Sequence, residues 1–115
     1  MFVSNVKEIK SVDVKAPGAA GAVKQVLVGP AQGWNGWVMR LFTLKPGGHT
    51  PRHSHPWPHI NYVVRGEGTL FLEGREYAAE AGSVAYIPSG AEHQFHNGGK
   101  GELSFICIVP EEGDI

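Results

Sequence analysis

The chain has 115 residues, which is enough for one folded domain but not for two. Hydrophobic residues make up 42% and the formal net charge is −1, with no block of like charge, so the basic surface of a nucleic-acid-binding domain is excluded. No apolar run reaches the roughly 18–20 residues of a membrane span, and no signal-peptide core is visible. One cysteine, Cys107, rules out an internal disulfide. These features predict a cytoplasmic protein that binds neither nucleic acid nor membrane.

Glycine and proline, with 16 and 8 copies, divide the chain into short apolar runs. Turn signals such as Gly29-Pro30 and Glu73-Gly74 separate these runs, which have the length and alternation of strands. Eight or nine strands are predicted, at residues 23–28, 37–44, 52–55, 59–64, 69–72, 75–78, 83–87, 92–96 and 103–109. No helical periodicity is present, and residues 111–115 are expected to form a loose tail. The pattern favours an all-β barrel or jelly roll, since closing the sheet removes most of its open edges.

The six histidines are unevenly placed, with four between His49 and His59 and the other two at positions 93 and 96. Side chains alternate faces along a strand, so His53 and His55 share a face and could chelate one metal ion. The same rule turns His96 away from the face of His93. His49 lies in the preceding loop, either at the rim of the site or in solvent.

Two spaced motifs contain the candidate ligands. They read Gly47-x5-His53-x-His55-x3-His59-x6-Gly66 and Gly82-x5-Pro88-x-Gly90-x2-His93-x3-Asn97. Both resemble the paired motifs of the cupin superfamily in order and in every spacing. The resemblance implies a double-stranded β-helix, a jelly-roll barrel, in which residues 1–115 form one domain with N-terminal strands in 1–30 and a metal-binding barrel in 37–110. Cupins of this size commonly pair as homodimers, and residues 3–14 would supply the exchanged strand.

The usual cupin motif has glutamate at the position of His59, and the histidine here resembles a subgroup of small single-domain manganese cupins. That resemblance implies one divalent metal ion held by four ligands, His53, His55, His59 and His93. Mn is the expected ion, and Fe, Ni, Cu, Co or Zn also suit imidazole. Alternatively, His59 lies beside a three-histidine site. Four neutral ligands leave the 2+ charge uncompensated, so we hypothesise that the site binds small anions or chelating oxygen ligands more strongly than a glutamate-bearing cupin.

Alternation along the last predicted strand puts Phe105, Cys107 and Val109 on one face. The resemblance implies that this face points toward the metal. The candidates are Arg40, Phe95, Phe105, Cys107 and His49. Val109 shares that face but is equally suited to the barrel core. The thiol of Cys107 is either a small buried apolar group or a target for an oxidant at the metal. Arg40 either orients an anion or forms a structural salt bridge, and Trp57 forms either a rigid lip of the pocket or a contact outside the barrel.

Three functions agree with this site, and whether the chain is an enzyme stays open. The first is a metal-dependent oxidoreductase, of dioxygenase or peroxide type, that acts on a small anionic or apolar molecule. The second is a non-oxidative isomerase or lyase that uses the ion as a Lewis acid, with His49 as its candidate base. The third is a cupin that binds a small ligand without turnover, because the fold does not determine the function.

Overall fold

The computed structural model describes all 115 residues and shows a strongly curled antiparallel sheet of nine strands. The strands are β1 (Val12–Asp13), β2 (Ala20–Val28), β3 (Trp37–His49), β4 (His59–Arg65), β5 (Glu67–Leu72), β6 (Arg75–Glu80), β7 (Val84–Ile87), β8 (His93–His96) and β9 (Leu103–Pro110). Three single-turn 3-10 helices lie at Val6–Glu8, Pro30–Gln32 and Glu111–Gly113. The predicted all-β jelly-roll fold is therefore confirmed. None of the helices is long and apolar enough to cross a bilayer.

Seven strands follow the order β6-β5-β8-β3-β9-β4-β7, and β2 joins the sheet beside them by pairing with β3 and with β1. Most neighbours in the seven-strand order are far apart along the chain. The β5–β6 hairpin is the one pair of consecutive strands in this order, and Glu73 and Gly74 form its turn with positive φ angles of 47° and 81°. β9 runs between β3 and β4 and pairs with both. This arrangement brings the start of β4, the start of β8 and the middle of β3 to one end of the barrel.

Two of the predicted strands differ in the structure. β3 continues to His49 through Pro46-Gly47-Gly48, where we expected a turn. The positive φ of Gly47 (81°) bends the strand, and its N–H still donates to the Asn97 carbonyl at 2.7 Å, so pairing continues past the bend. Residues 52–55 form a single bridge between His53 and His93 and not a strand, because the flanking prolines lack the N–H groups that a longer ladder needs.

The core has two parts. The larger cluster fills the barrel and includes Leu44, Ile87 and Leu103, each with no exposed surface. The smaller cluster, at the histidine end, consists of Val38, Cys107 and Val109. Val109 is therefore core, which was one of its two expected roles.

The two termini differ from each other in how they meet the barrel. β1 pairs antiparallel with β2 of the same chain, with Val12 opposite Lys24; the exchange of residues 3–14 between two copies stays a prediction.

The expectation of a loose tail at residues 111–115 is wrong. Gly113 is buried, and the carboxylate of Asp114 lies 2.9 Å from the ammonium group of Lys24. The tail covers the histidine end of the barrel.

Candidate metal centre

Four histidines from three segments meet at this end of the barrel. His53 and His55 lie in the connection before β4, and His59 and His93 begin β4 and β8. The ligand nitrogens of His53, His55 and His93 lie within 4.8 Å of one another, and this three-histidine cluster is able to hold a metal ion. His59 adjoins the cluster, since its Nε2 lies 3.1 Å from Nε2 of His93.

Hydrogen bonds determine which ring nitrogen carries the proton. Nδ1 of His93 lies 2.9 Å from the carbonyl oxygen of Ala91, and Nδ1 of His55 lies 3.1 Å from that of Trp57. A carbonyl oxygen only accepts, so both Nδ1 atoms donate and both Nε2 atoms keep a free lone pair. Such bonds orient metal-binding imidazoles, because they fix the ring and its tautomer.

The Asn61 side chain fixes the ring orientation and the tautomer of His59. Its Nδ2 donates to the carbonyl oxygen of Ile106 at 3.3 Å, which leaves Oδ1 to accept from Nδ1 of His59 at 2.7 Å. Asn61 is 1% exposed, so the amide has no water to bond instead. Asn61 is not among the residues predicted from the sequence, although a polar residue two positions after His59 on an apolar strand is the signal that could have revealed it.

The contact between His59 and His93 tests whether the cluster could include a fourth ligand. Both Nδ1 atoms are donors, so two Nε2 lone pairs face each other at 3.1 Å with no proton between them. Two nitrogens bonded to one ion at about 2.0–2.1 Å, and at right angles, would lie about 3 Å apart. The donor set and its spacing therefore fit a divalent transition metal with His59 included.

The imidazoles are also neutral in the folded protein at pH 7. Burial, then the neighbouring rings of His93 and His55, lower the pKa of His53 to about 4. Burial, then His93, lower the pKa of His59 to about 3 against the opposing effect of the hydrogen bond that His59 donates to Asn61. Burial likewise lowers the pKa values of His55 and His93. Neutral imidazole is the form that binds metals, so no proton has to leave first.

A cavity of about 250 Å³ opens beside the histidines. Phe95 and Phe105 form one wall, with stacked rings whose centroids are 4.0 Å apart. The Trp57 ring stacks on His55 at 4.7 Å and lines the cavity, as the expected lip would. Trp57 also packs closely on Gly113, so the tail contributes to the rim. The cavity is slightly smaller than the usual range for drug-sized ligands and suits a small, flat molecule.

The other candidates divide between the cavity and the surface. Arg40 and Cys107 are buried, line the cavity and contact each other, with Nη2 3.0 Å from the thiol sulfur. Burial raises the pKa of Cys107, so the thiol stays protonated. His49 does not line the cavity; it lies on β3 opposite the exposed His96, with ring centroids 6.1 Å apart. His49 is therefore not positioned to act as a base at the metal, and His96 points outward as expected.

Comparison with known proteins agrees with this geometry. Residues 40–109 match the Cupin_2 family, described as a cupin domain. An oxalate-binding protein of Thermotoga maritima is 32% identical over 74 residues, which covers 61% of this chain and 61% of that protein. Auxin-binding protein 1 of Arabidopsis thaliana is 33% identical over 78 residues, which covers 60% of this chain and 39% of that protein. The chain thus matches less than two thirds of the length of these relatives.

A solved structure gives a longer match. The polyketide cyclase RemF from Streptomyces resistomycificus superposes with a TM-score of 0.90 at 30% identity, covering 96% of this chain and 79% of that one. The similarity in fold therefore extends over nearly the whole of this chain.

Proposed function

This chain belongs to the cupin family, and we propose that it is a metal-dependent oxidoreductase, of dioxygenase or peroxide type, with a four-histidine site for Mn. The observation that carries the proposal is the pair of facing Nε2 atoms of His59 and His93, 3.1 Å apart. A cation between them would relieve the repulsion of their lone pairs. His53 and His55 would complete the ligand set, because their rings lie 4.8 and 4.9 Å from that of His93.

The chemistry of the ligands supports a redox-active ion with exchangeable positions. Four neutral imidazoles leave two positions of an octahedral ion free and do not neutralise its charge. When bound, such an ion would supply Lewis acidity and, as Mn or Fe, one-electron redox chemistry. Zn, Co, Ni or Cu would also suit the ligands, so the preference for Mn rests on the resemblance to four-histidine cupins.

The protein's own residues would bind and shield the substrate. The stacked rings of Phe95 and Phe105 present an apolar face beside the histidines and exclude water from that side. Asn61 would hold His59 in its ligand orientation, and Trp57 would restrict the entrance. An apolar wall beside an ion with open positions suits oxidation of a small, largely apolar molecule.

A second candidate is a non-oxidative reaction in which the ion acts only as a Lewis acid. It is favoured by the 30% identity and TM-score of 0.90 to a polyketide cyclase. Cyclisation, isomerisation and elimination need a polarised oxygen but no change in the charge of the metal ion. With His49 outside the cavity, any base in this reaction would have to come from the substrate or from a water molecule.

Metal substitution separates the two candidates. The protein, purified without a histidine tag, is first analysed for bound metal and then loaded in parallel with Mn, Fe or Zn. Peroxide consumption and oxygen uptake are measured with small aromatic alkenes as probe substrates. We expect turnover with Mn or Fe and none with Zn, because Zn does not change its oxidation state. Equal activity of the Zn form would refute the oxidative proposal and support the Lewis-acid candidate.

A further inference from the structure

The buried guanidinium of Arg40 has too few acceptors. The residue is 7% exposed, and its side chain lies on the cavity wall near the histidines. Nη2 contacts the sulfur of Cys107 at 3.0 Å, Nη1 lies 3.6 Å from Oδ1 of Asp114, and Nε has no partner. A guanidinium offers five N–H donors, whereas a protonated thiol is a weak acceptor. The side chain is thus buried and charged, with most of its donors poorly satisfied.

The nearby charges do not balance. Asp114 is closer to Lys24, at 2.9 Å, than to Arg40, so one carboxylate faces two cations. No aspartate or glutamate side chain lines the cavity. Among these side chains, one positive charge therefore lacks a counter-charge, and a bound divalent ion would increase the excess. Burying an unpaired charge is costly, so an anion that entered the cavity would be stabilised.

The aromatic rings near Arg40 indicate what the uncharged part of a ligand should be. Its guanidinium carbon lies 4.9 Å from the centroid of the Phe42 ring, which in turn stacks on Phe105 at 5.6 Å. A cationic group thus lies at the end of a row of aromatic rings. We propose that Arg40 is the anion-binding residue of this cavity and that its ligands are small flat carboxylates with an apolar or aromatic body. The planar fork of a guanidinium matches a carboxylate, and the phenyl walls match the body.

Asp114 is then the side-chain carboxylate that a ligand would compete with for Arg40. Its distance of 3.6 Å from Nη1 is longer than a hydrogen bond, and it is held in the tail mainly through Lys24. An incoming carboxylate would replace this loose contact with direct bonds to Arg40. Removing the charge of Asp114 should therefore favour the ligand, which a purely structural salt bridge would not predict.

The test uses metal-free protein, with benzoate as the carboxylate probe and benzamide as its neutral analogue, each titrated by calorimetry. We expect benzoate to bind at least about tenfold more tightly than benzamide. In Arg40→Met, this preference should disappear, while benzamide binding is retained. In Asp114→Asn, benzoate should bind several-fold more tightly, and the affinity for benzamide should be unchanged. Thermal unfolding and Mn uptake of each variant report whether its fold and histidine site are intact.

Equal binding of the two probes to the unmodified protein would overturn the inference, as would an Arg40→Met variant that still prefers benzoate. If Arg40→Met does not fold, the two probes with the unmodified protein and Asp114→Asn still decide. Arg40 would select the substrate class of the proposed enzyme, and its role in turnover rests on that proposed function. Binding of benzoate to metal-free protein does not depend on the reaction at the metal. Anion binding by Arg40 and the oxidoreductase activity can therefore fail independently of each other.

Discussion

Nδ1 of His59 lies 2.7 Å from Oδ1 of Asn61, the residue two positions later on the same face of β4. The Asn61 amide is fixed in turn by its bond to the Ile106 carbonyl on β9. The sheet itself therefore sets the orientation of His59, the proposed fourth ligand, which stands where the usual cupin motif has glutamate. These two hydrogen bonds fix the tautomer of His59. Breaking them should therefore lower the affinity for the metal more than it lowers the stability of the fold.

Substitution of Asn61 tests this relationship. In Asn61→Ala, we expect Mn affinity to fall about 10–100-fold, since the His59 ring loses the acceptor that fixes it. The measurement is a competition titration against a chelator. Asn97→Ala is the matched control, because Asn97 is an equally buried amide that bonds to the Leu44 and Gly101 carbonyls. It should lower stability and leave Mn affinity unchanged; an equal loss of affinity in both variants would contradict the prediction.

Replacing His59 by glutamate should change the binding of anions at the metal. In His59→Glu, we expect metal to be retained and the affinity for oxalate to fall about tenfold or more, because one negative charge near the ion is worth several kcal/mol at intermediate dielectric. Oxalate is titrated at matched metal occupancy. Unchanged oxalate affinity would show that the site charge does not control anion binding. His59→Gln, which adds no charge, is the control and should keep most of the oxalate affinity.

The stability of the metal-free protein should fall as the pH is lowered below 6.5. There the unfolded chain takes up protons on its histidines, whereas folded His59 does so only near its pKa of about 3. For this residue, which is 5% exposed, the loss between pH 7.5 and pH 5 is about 2 kcal/mol. Urea unfolding at the two pH values measures it. The pH effect should be smaller by about that amount in His59→Gln, and an unaltered pH effect would contradict the assignment.

Two glycines with similar backbone angles should respond differently to alanine. Gly66 has φ +88°, and an added Cβ would collide with the Glu102 carbonyl oxygen, so we expect Gly66→Ala to cost more than about 3 kcal/mol. Gly74 has φ +81° in the hairpin turn, and a Cβ added there would have no heavy atom within 4 Å. Gly74→Ala should therefore cost only about 1–2 kcal/mol of backbone strain. Urea unfolding of the metal-free variants compares them. Equal losses would show that the close approach of the Glu102 carbonyl oxygen to Gly66 does not matter.

The sequence predicted the parts of this molecule that depend on local spacing. Turn signals located most strands, and the resemblance of the two motifs to those of cupins was enough to group His53, His55 and His93. The contacts that the sequence does not reveal join distant segments: Asp114 meets Arg40 across 74 positions of the chain. Alternation along one strand cannot predict such a contact, because it depends on how the tail folds back over the barrel. For the same reason, the sequence alone could not separate the two possible roles of Arg40.

The folded-back tail has a practical consequence for how the protein is handled. Ile115 lines the cavity and Gly113 packs under Trp57, so any residues joined after position 115 would emerge at the entrance of the site. A polyhistidine tag placed there would bring additional imidazoles to the proposed metal site and would compete for its ion. A tag attached before Met1, which is fully exposed, avoids this contamination. The position of an affinity tag is therefore an experimental variable in any measurement of metal content.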